Sequence, residues 1–335
     1  MTTSPSLINI PDLAVDIILK NVDFKTIFSL RKVCRPLRNY IDKRKPKVHI
    51  NHIEFSMTPD LNITVKLKCN PKNEEEIREI VYSENPFVSF RRDFRIIMSH
   101  WKNQFLDVFK VDLECENPDN SVINQLFIDC IQSTFLKCPN NQRLYVMTLS
   151  LQVTNEHEIM RLLSFVDPNS LRILSLFTIG LLDLTEIRET DQFKSASLYI
   201  SAQFEELESM AAFFNRSIVS VGLVHRIYWD QVLAILVSFR DHDDMQAFTI
   251  SFLHFPDLQL FLDEFGEAIR DGDTSKWNAS FVNKEIFIEV KLSMGFVPSL
   301  SFVRLLDLEE GEFLIFGDND EEDEGEFDEE DEDEL

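Results

Sequence analysis

The side chains here that could do chemistry are seven histidines, five cysteines and 58 carboxylates among 335 residues, and their spacing decides what chemistry is open. His49 and His52 lie three apart in an alternating apolar segment, where strand geometry sends them to opposite faces rather than to one metal. His242 stands beside Asp241, Asp243 and Asp244, which could hold a cation but fit a solvated turn better. Cys34, Cys69, Cys115, Cys130 and Cys138 are odd in number and form no C-x-x-C pair, so neither a disulfide framework nor a zinc site is expected. They read as small hydrophobes of a reducing compartment. The eight glycines build no phosphate-cradling loop, and neither G-x-S-x-G nor H-E-x-x-H occurs. Carboxylates are so numerous that any pairing by eye is uninformative. No catalytic, cofactor-binding or metal residue is assigned, and the chain reads as a non-enzyme.

Binding chemistry is the remaining class. Phe87 to Lys110 sets Arg91, Arg92, Arg95, Lys102 and Lys110 among aromatics including Trp101, a composition that suits a nucleic-acid strand groove. The charged outer face of an amphipathic helix explains it better, so direct nucleic-acid binding is not expected. The apolar stretch Ser217 to Phe239 is interrupted by His225, Arg226 and Asp230 and reads as a core strand plus core helix, not a membrane span. With no signal peptide evident, an intracellular location, cytoplasmic or nuclear, is expected. Charge is uneven. Of the net −25, residues 318–334 supply fourteen acids and no bases, leaving −11, whereas residues 1–47 carry ten Lys/Arg against four Asp. An acidic tail repels phosphates and favours a basic or protein partner.

The stretch Ile10 to Ile41 packs three short helical signals. Pro11 opens the first, with Asp12 and Asp16 near its positive end. Val15, Ile18, Leu19 and Val22 form an i, i+3, i+4, i+7 stripe, widened by Leu13 and Ile17. Asp23 is an N-cap candidate for the second helix. Leu30, Val33, Cys34 and Leu37 repeat the spacing, and Pro36 predicts a break near Cys34 with a third helix beyond it. A basic step, Asp42 to Lys47, marks a domain joint.

Residues 48–69 alternate and suggest strands; Glu74 to Tyr82 reads as helix, as does the chain from Arg92. An apolar-x-x-apolar-x-apolar form then recurs at Val108, Val146, Leu171, Phe193, Ile218 and Met245, spaced 38, 25, 22, 25 and 27 residues apart. Helical stripes lie between: Ile123-Leu126-Phe127-Cys130, Ile159-Leu162-Leu163-Val166 and Trp229-Val232-Leu233-Leu236, with Leu258-Phe261-Leu262-Phe265 following. Asn155 and Glu158 form a capping-box-like start. The alternation predicts a parallel sheet with helices on one side, leucine-rich-repeat-like but without the Asn or Cys usual at each repeat's end. Ile286, Ile288, Val290 and Leu292 alternate strictly after Asn283-Lys284, predicting a hairpin, with Ser299 to Leu305 as a further strand on the sheet's open end. From Asp318 the composition cannot offset chain entropy and reads as disordered. The expected class is α/β: a helical domain over 1–47, a βα repeat-like domain over 48–306 and an acidic tail over 307–335.

Ile10-Pro11, Asp12, Ile18-Leu19, Asp23, Leu30-Arg31-Lys32-Val33-Cys34, Leu37 and Arg38 together resemble an F-box, with Ile10 for the usual Leu and Leu37 for the usual Trp. Leu184 to Ile200 and Phe248 to Phe265 resemble the FTH domain, which follows the F-box in the nematode F-box A family. The Gln-Trp-Lys-x-Ala usual there is Gln192-Phe193-Lys194-Ser195-Ala196. These resemblances imply a non-catalytic adaptor that docks on the Skp-family subunit of a cullin ubiquitin ligase and presents a protein target through the later domain. Pro11, Leu13, Ile17, Ile18, Val22, Leu30, Val33, Cys34 and Leu37 are the expected docking residues. Their apolar members are too many for three short helices to bury alone. Two other functions fit the same sequence: an acidic-tailed chaperone or sequestering protein, and an F-box protein that recruits an RNA-regulating partner without ubiquitination.

Overall fold

A computed structural model describes residues 10–22, 24–46, 50–68, 77–100, 105–113, 121–135, 143–204, 213, 218–281 and 284–305. The expectations for Asp23, Val48, His49, Cys69, Trp101, Lys102, Cys115, Cys138 and the tail beyond Leu305 fall outside those residues.

Three ten-residue helices open the chain: α1 (Asp12–Asn21), α2 (Phe24–Val33) and α3 (Arg35–Arg44). The break falls where Pro36 demands it. Cys34 is extended (φ −158°, ψ 160°), and Pro36 sits in the first turn of α3, where its missing N–H costs nothing. Pro11 is the residue before α1, not its first residue. Lys45 ends α3 in the left-handed region (φ 46°) and donates its N–H to the Ile41 carbonyl.

The rest of the described chain builds strands β1 (His52–Met57), β2 (Ile63–Lys68), β3 (Ile77–Tyr82), β4 (Leu106–Asp112), β5 (Val146–Gln152), β6 (Ile173–Leu181), β7 (Ser197–Gln203), β8 (Ile218–Arg226), β9 (Ala247–His254), β10 (Ile269–Asp271), β11 (Thr274–Phe281), β12 (Lys284–Ser293) and β13 (Ser299–Leu305). Between them run α4 (Pro86–His100), α5 (Ser121–Phe135), α6 (Glu156–Leu163), α7 (Asp191–Ser195), α8 (Trp229–Asp241) and α9 (Leu258–Phe265). All described strands share one sheet, in the order β10-β11-β12-β13-β9-β8-β7-β6-β5-β4-β1-β2-β3. From β4 to β9 the strands are parallel and in sequence order, and β1 joins β4 in parallel. Parallel crossovers are right-handed almost without exception, so connections stepping in one direction put their helices on one face, and α4 packs on α5 and α5 on α6.

The recurring motif supplies the buried face of this ladder. Leu149 and Leu151, Leu174 and Leu176, Leu198 and Ile200, Val219 and Val221, and Phe248 and Ile250 are all buried. At one end the core is aromatic: Phe55 makes edge contacts with Phe90, Phe94, Phe109 and Phe127. Between Val221 and Leu223 the β8 register shifts. A Cβ on Gly222 would come within 2.7 Å of the Ala202 nitrogen, so the close approach of β7 and β8 requires glycine.

Three expectations are corrected. Ile77–Tyr82 is a strand, not a helix; its β-branched and aromatic residues pair with β2, and pairing outweighs the helical look of the glutamates before them. Helix α4 begins at Pro86, ahead of Arg92. Leu126 and Leu233 point outward, because α5 and α8 turn their Phe127-Ile131 and Val232-Ile235 faces inward instead. The sheet is mixed, as the hairpin and further strand expected at its open end imply: β2-β3 flank one end and β13 through β10 the other, all antiparallel. The predicted hairpin is β11-β12, with β13 bridging it to β9.

Candidate protein-docking site

The three N-terminal helices are pinned to one another by polar contacts. Arg31 on α2 grips Asp42 on α3 with two bonds, Nε to Oδ1 at 2.5 Å and Nη2 to Oδ2 at 2.9 Å. Those bonds hold the Asp42 carboxyl below its ordinary range, against the opposing effect of burial. The Tyr40 hydroxyl reaches from α3 to α1, donating to the Asp12 carbonyl and to Asp16 Oδ1, each at 2.8 Å. Desolvation and then the Asp16 bond push the Tyr40 hydroxyl above its ordinary value. Arg44 lies over the Tyr40 ring, 5.4 Å from its centre, and within 3.5 Å of Asp12 and Asp16. Beneath this polar layer Val15, Leu19, Ile27, Leu37 and Ile41 are buried.

The helices also seat on the body. His100, at the end of α4, is buried against Phe28 of α2, and its Nδ1 lies 3.3 Å from the Pro46 carbonyl. Burial pushes the His100 imidazole below its ordinary value, more than the Pro46 carbonyl raises it.

With the inside filled, the structure divides the nine expected docking residues. Pro11, Leu13, Ile17, Ile18 and Val33 are exposed. Leu13 and Ile17, one helical turn apart, share a face of α1 opposite to Val15 and Leu19. Val22, Leu30 and Cys34 are half-buried against the core, and Leu37 is buried at 5% exposure. Ile18, which the spacing placed in the inner stripe, stands at its border. Sequence spacing alone could not sort the inner stripe from the outer one, because both are aliphatic. Missed altogether were Tyr40 and Arg44 as the clasp between α1 and α3. Their signal was local: two acids one turn apart on α1, facing Tyr and Arg one turn apart on α3.

A second surface is the face of the sheet opposite the helices. Register aligns one lateral row across it: Lys110, Ser150, Ser175, Tyr199, Ser220, Thr249, Ser301 and Lys291. Small hydroxyls dominate its middle, Thr249 and Ser301 touch at 3.1 Å, and Glu54 ties Lys66 and Lys110 at one end. Phe177, Ile179, Leu181 and Tyr199 stand exposed on β6 and β7.

The other sequence candidates find structural roles. The Gln192-Ala196 segment is a packing device. Thr190 caps α7 by accepting from the Phe193 N–H, and the Gln192 amide donates to the Leu163 and Val166 carbonyls at 3.1 and 2.8 Å. Phe193 and Ala196 are buried. Asn155 caps α6, while Glu158 reaches back to the Thr154 N–H and hydroxyl. Arg91, Arg92 and Arg95 lie on the outer face of α4, whose Phe90, Phe94, Ile97 and Met98 are buried. His242 closes α8 through its backbone. Among the described residues no group of three His, Cys, Asp or Glu could hold a metal, and no helix is long and apolar enough to cross a membrane.

Comparison with known families gives two matches. Residues 7–49 match the F-box domain and residues 125–260 the FTH domain, in the order expected from the sequence. F-box domains bind the Skp-family subunit of cullin ubiquitin ligases. No curated protein and no solved structure matches the chain.

Proposed function

We propose that this chain, an F-box followed by an FTH domain, is a non-catalytic, substrate-recruiting adaptor of a Skp-cullin-F-box ubiquitin ligase. The observation that carries the reading is the exposed aliphatic set Leu13, Ile17 and Val33 on helices already filled inside and clasped by Tyr40, Arg44 and Arg31. Large exposed apolar groups on a rigid platform are what an interface needs, since little ordering cost is left for binding. Pro11, Ile18 and the partly buried Val22, Leu30 and Cys34 border the contact; Leu37 holds the platform from within. Exposed bases on the same helices, including Lys32 and Arg35, which have no ion-pair partner among the described residues, speed encounter with an acidic partner.

In this reading the chain divides at 1–47, 48–306 and 307–335, and the middle unit presents a protein target on the open face of its sheet, where Phe177, Ile179 and Tyr199 supply apolar anchors. The chain works inside the cell, in cytoplasm or nucleus, where the ligase is. The test is co-purification of the full chain with a Skp-family subunit, beside a chain carrying L13A and V33A. Equal recovery of the subunit by both chains, or by neither, would refute the docking surface.

A further inference from the structure

The edge of the sheet where the parallel strands begin carries three features in line. The F-box enters β1 there, and β1 runs parallel to β4. At the other side β13 runs antiparallel to β9, so the chain leaves the described structure at Leu305 on that same edge. Between them, at the starts of β5 and β6, lies a cavity of about 470 Å³ lined by Arg143, Pro168, Asn169, Leu171, Arg172, Asp191 and Ser195.

The cavity has the chemistry of an anion site. Arg143 and Arg172 both line it, and among the described residues neither guanidinium has a hydrogen-bond or ion-pair partner. By contrast Arg161 and Arg188 on the same body sit on Asp129 and Glu189. Two guanidiniums beside one carboxylate, Asp191, leave the cavity with a positive surplus. Planar N–H forks match carboxylates in pairs, and the Ser195 hydroxyl and Asn169 add polar groups at the rim.

The chain carries its own ligand for such a site. Residues 318–334 hold fourteen carboxylates and no base. From β13 to β6 is four strand spacings, about 19 Å. The twelve residues from 306 to 317 span up to about 40 Å when extended. We propose that Arg143 and Arg172 form a docking site for consecutive carboxylates and that residues 318–334 of the same chain occupy it. The tail then lies along the edge that leads to the F-box. The inference stands apart from the adaptor reading, since no F-box residue takes part in it.

The test uses the full chain and a glutamyl endopeptidase, following cleavage within 318–335 by mass spectrometry. At low ionic strength (about 20 mM, a Debye length of about 20 Å) the docked tail should be cut about five-fold or more slowly in the wild type than in R143A/R172A, the order expected for two exposed ion pairs. The two rates should converge in high salt. D191N removes the opposing carboxylate and should slow cutting further at low salt. R226A, an exposed arginine at the opposite edge, should cut like the wild type. Equal low-salt rates for wild type and R143A/R172A overturn the proposal, and so does an R226A chain cut as fast as the double variant, which would mean diffuse attraction instead of a site. If the double variant does not fold, a peptide of residues 318–335 built from D-amino acids, which the protease cannot cut, is added to the wild type instead. It should speed cutting of the chain's own tail by competition, and no acceleration at low salt overturns the proposal.

Discussion

Replacing Leu13 and Val33 together with alanine separates docking from folding. Leu13 is 73% and Val33 69% exposed, so in the free chain both side chains stand mostly in water. Fully burying a leucine or valine is worth about 1.5–3 kcal/mol, and alanine keeps only the β-carbon. A complex that covers both residues therefore loses roughly 1.5–3 kcal/mol in the double variant, about 10- to 150-fold in Kd. The free chain loses almost nothing, because alanine is the best helix former and no cavity opens. Leu37→Ala is the contrasting change: at 5% exposure its loss should cost roughly 2–5 kcal/mol of stability. The assay is calorimetric titration of each full-length variant with a Skp-family subunit, paired with a melting curve. A double variant that binds within about three-fold of wild type refutes the placement of the interface. A double variant that melts as low as Leu37→Ala refutes the division into inner and outer stripes.

Other expectations follow from the same geometry. The depressed His100 lets the unfolded chain take up a proton that the folded chain refuses. Denaturation midpoints should therefore be flat above the ordinary histidine value of 6.5 and fall as pH drops below it, and a profile that rises below it would contradict the burial of His100 at the seam. Asp42 acts in a lower window: its bond to Arg31 stabilises above the unfolded value of 3.8 and is lost below it, so Asp42→Asn should flatten that part of the profile. Gln192→Ala strands the Val166 carbonyl and takes one of two donors from the Leu163 carbonyl, which keeps the Val166 N–H, at about 1–3 kcal/mol in urea unfolding, whereas a role confined to partner contact would leave stability unchanged. Gly222→Ala forces a methyl against the Ala202 backbone and should cost about 1–3 kcal/mol, read as a drop in melting temperature.

The strand ladder was legible because its motif is local: the buried pair Leu174 and Leu176, and the pair Leu149 and Leu151, sit at fixed offsets that a strand's period converts directly into one face. The break at Cys34 was legible for a similar reason, since Pro36 acts on its immediate neighbours. Strand β3 was not, because nothing in its own residues announces β2 as a partner. Nor could α5 be oriented from sequence. Leu126 and Phe127 are both apolar, and only the position of Phe55 and Phe90 across the core decides that Phe127 turns inward. The residues proposed for docking divide along that same limit. Spacing and the F-box resemblance put the proposed group forward, but the choice between exposed Leu13 and buried Leu37 depends on the clasp between α1 and α3. The cavity between Arg143 and Arg172 joins the starts of two strands and is invisible until those strands lie side by side.

The antiparallel strands at both ends turn an open-ended ladder into an object of fixed width. An in-order parallel array could gain or lose a unit without changing its local rules. Here β2-β3 stop it on one side and β13 on the other, and the outermost strand, β10, is three exposed residues long. From β1, where the F-box joins, to β13 is seven strand spacings, about 34 Å. The sheet is thus a ruler. Anything held on its far half is kept at a set reach from whatever grips the F-box, and removing one strand-helix unit would shorten that reach by about 5 Å without unmaking either end.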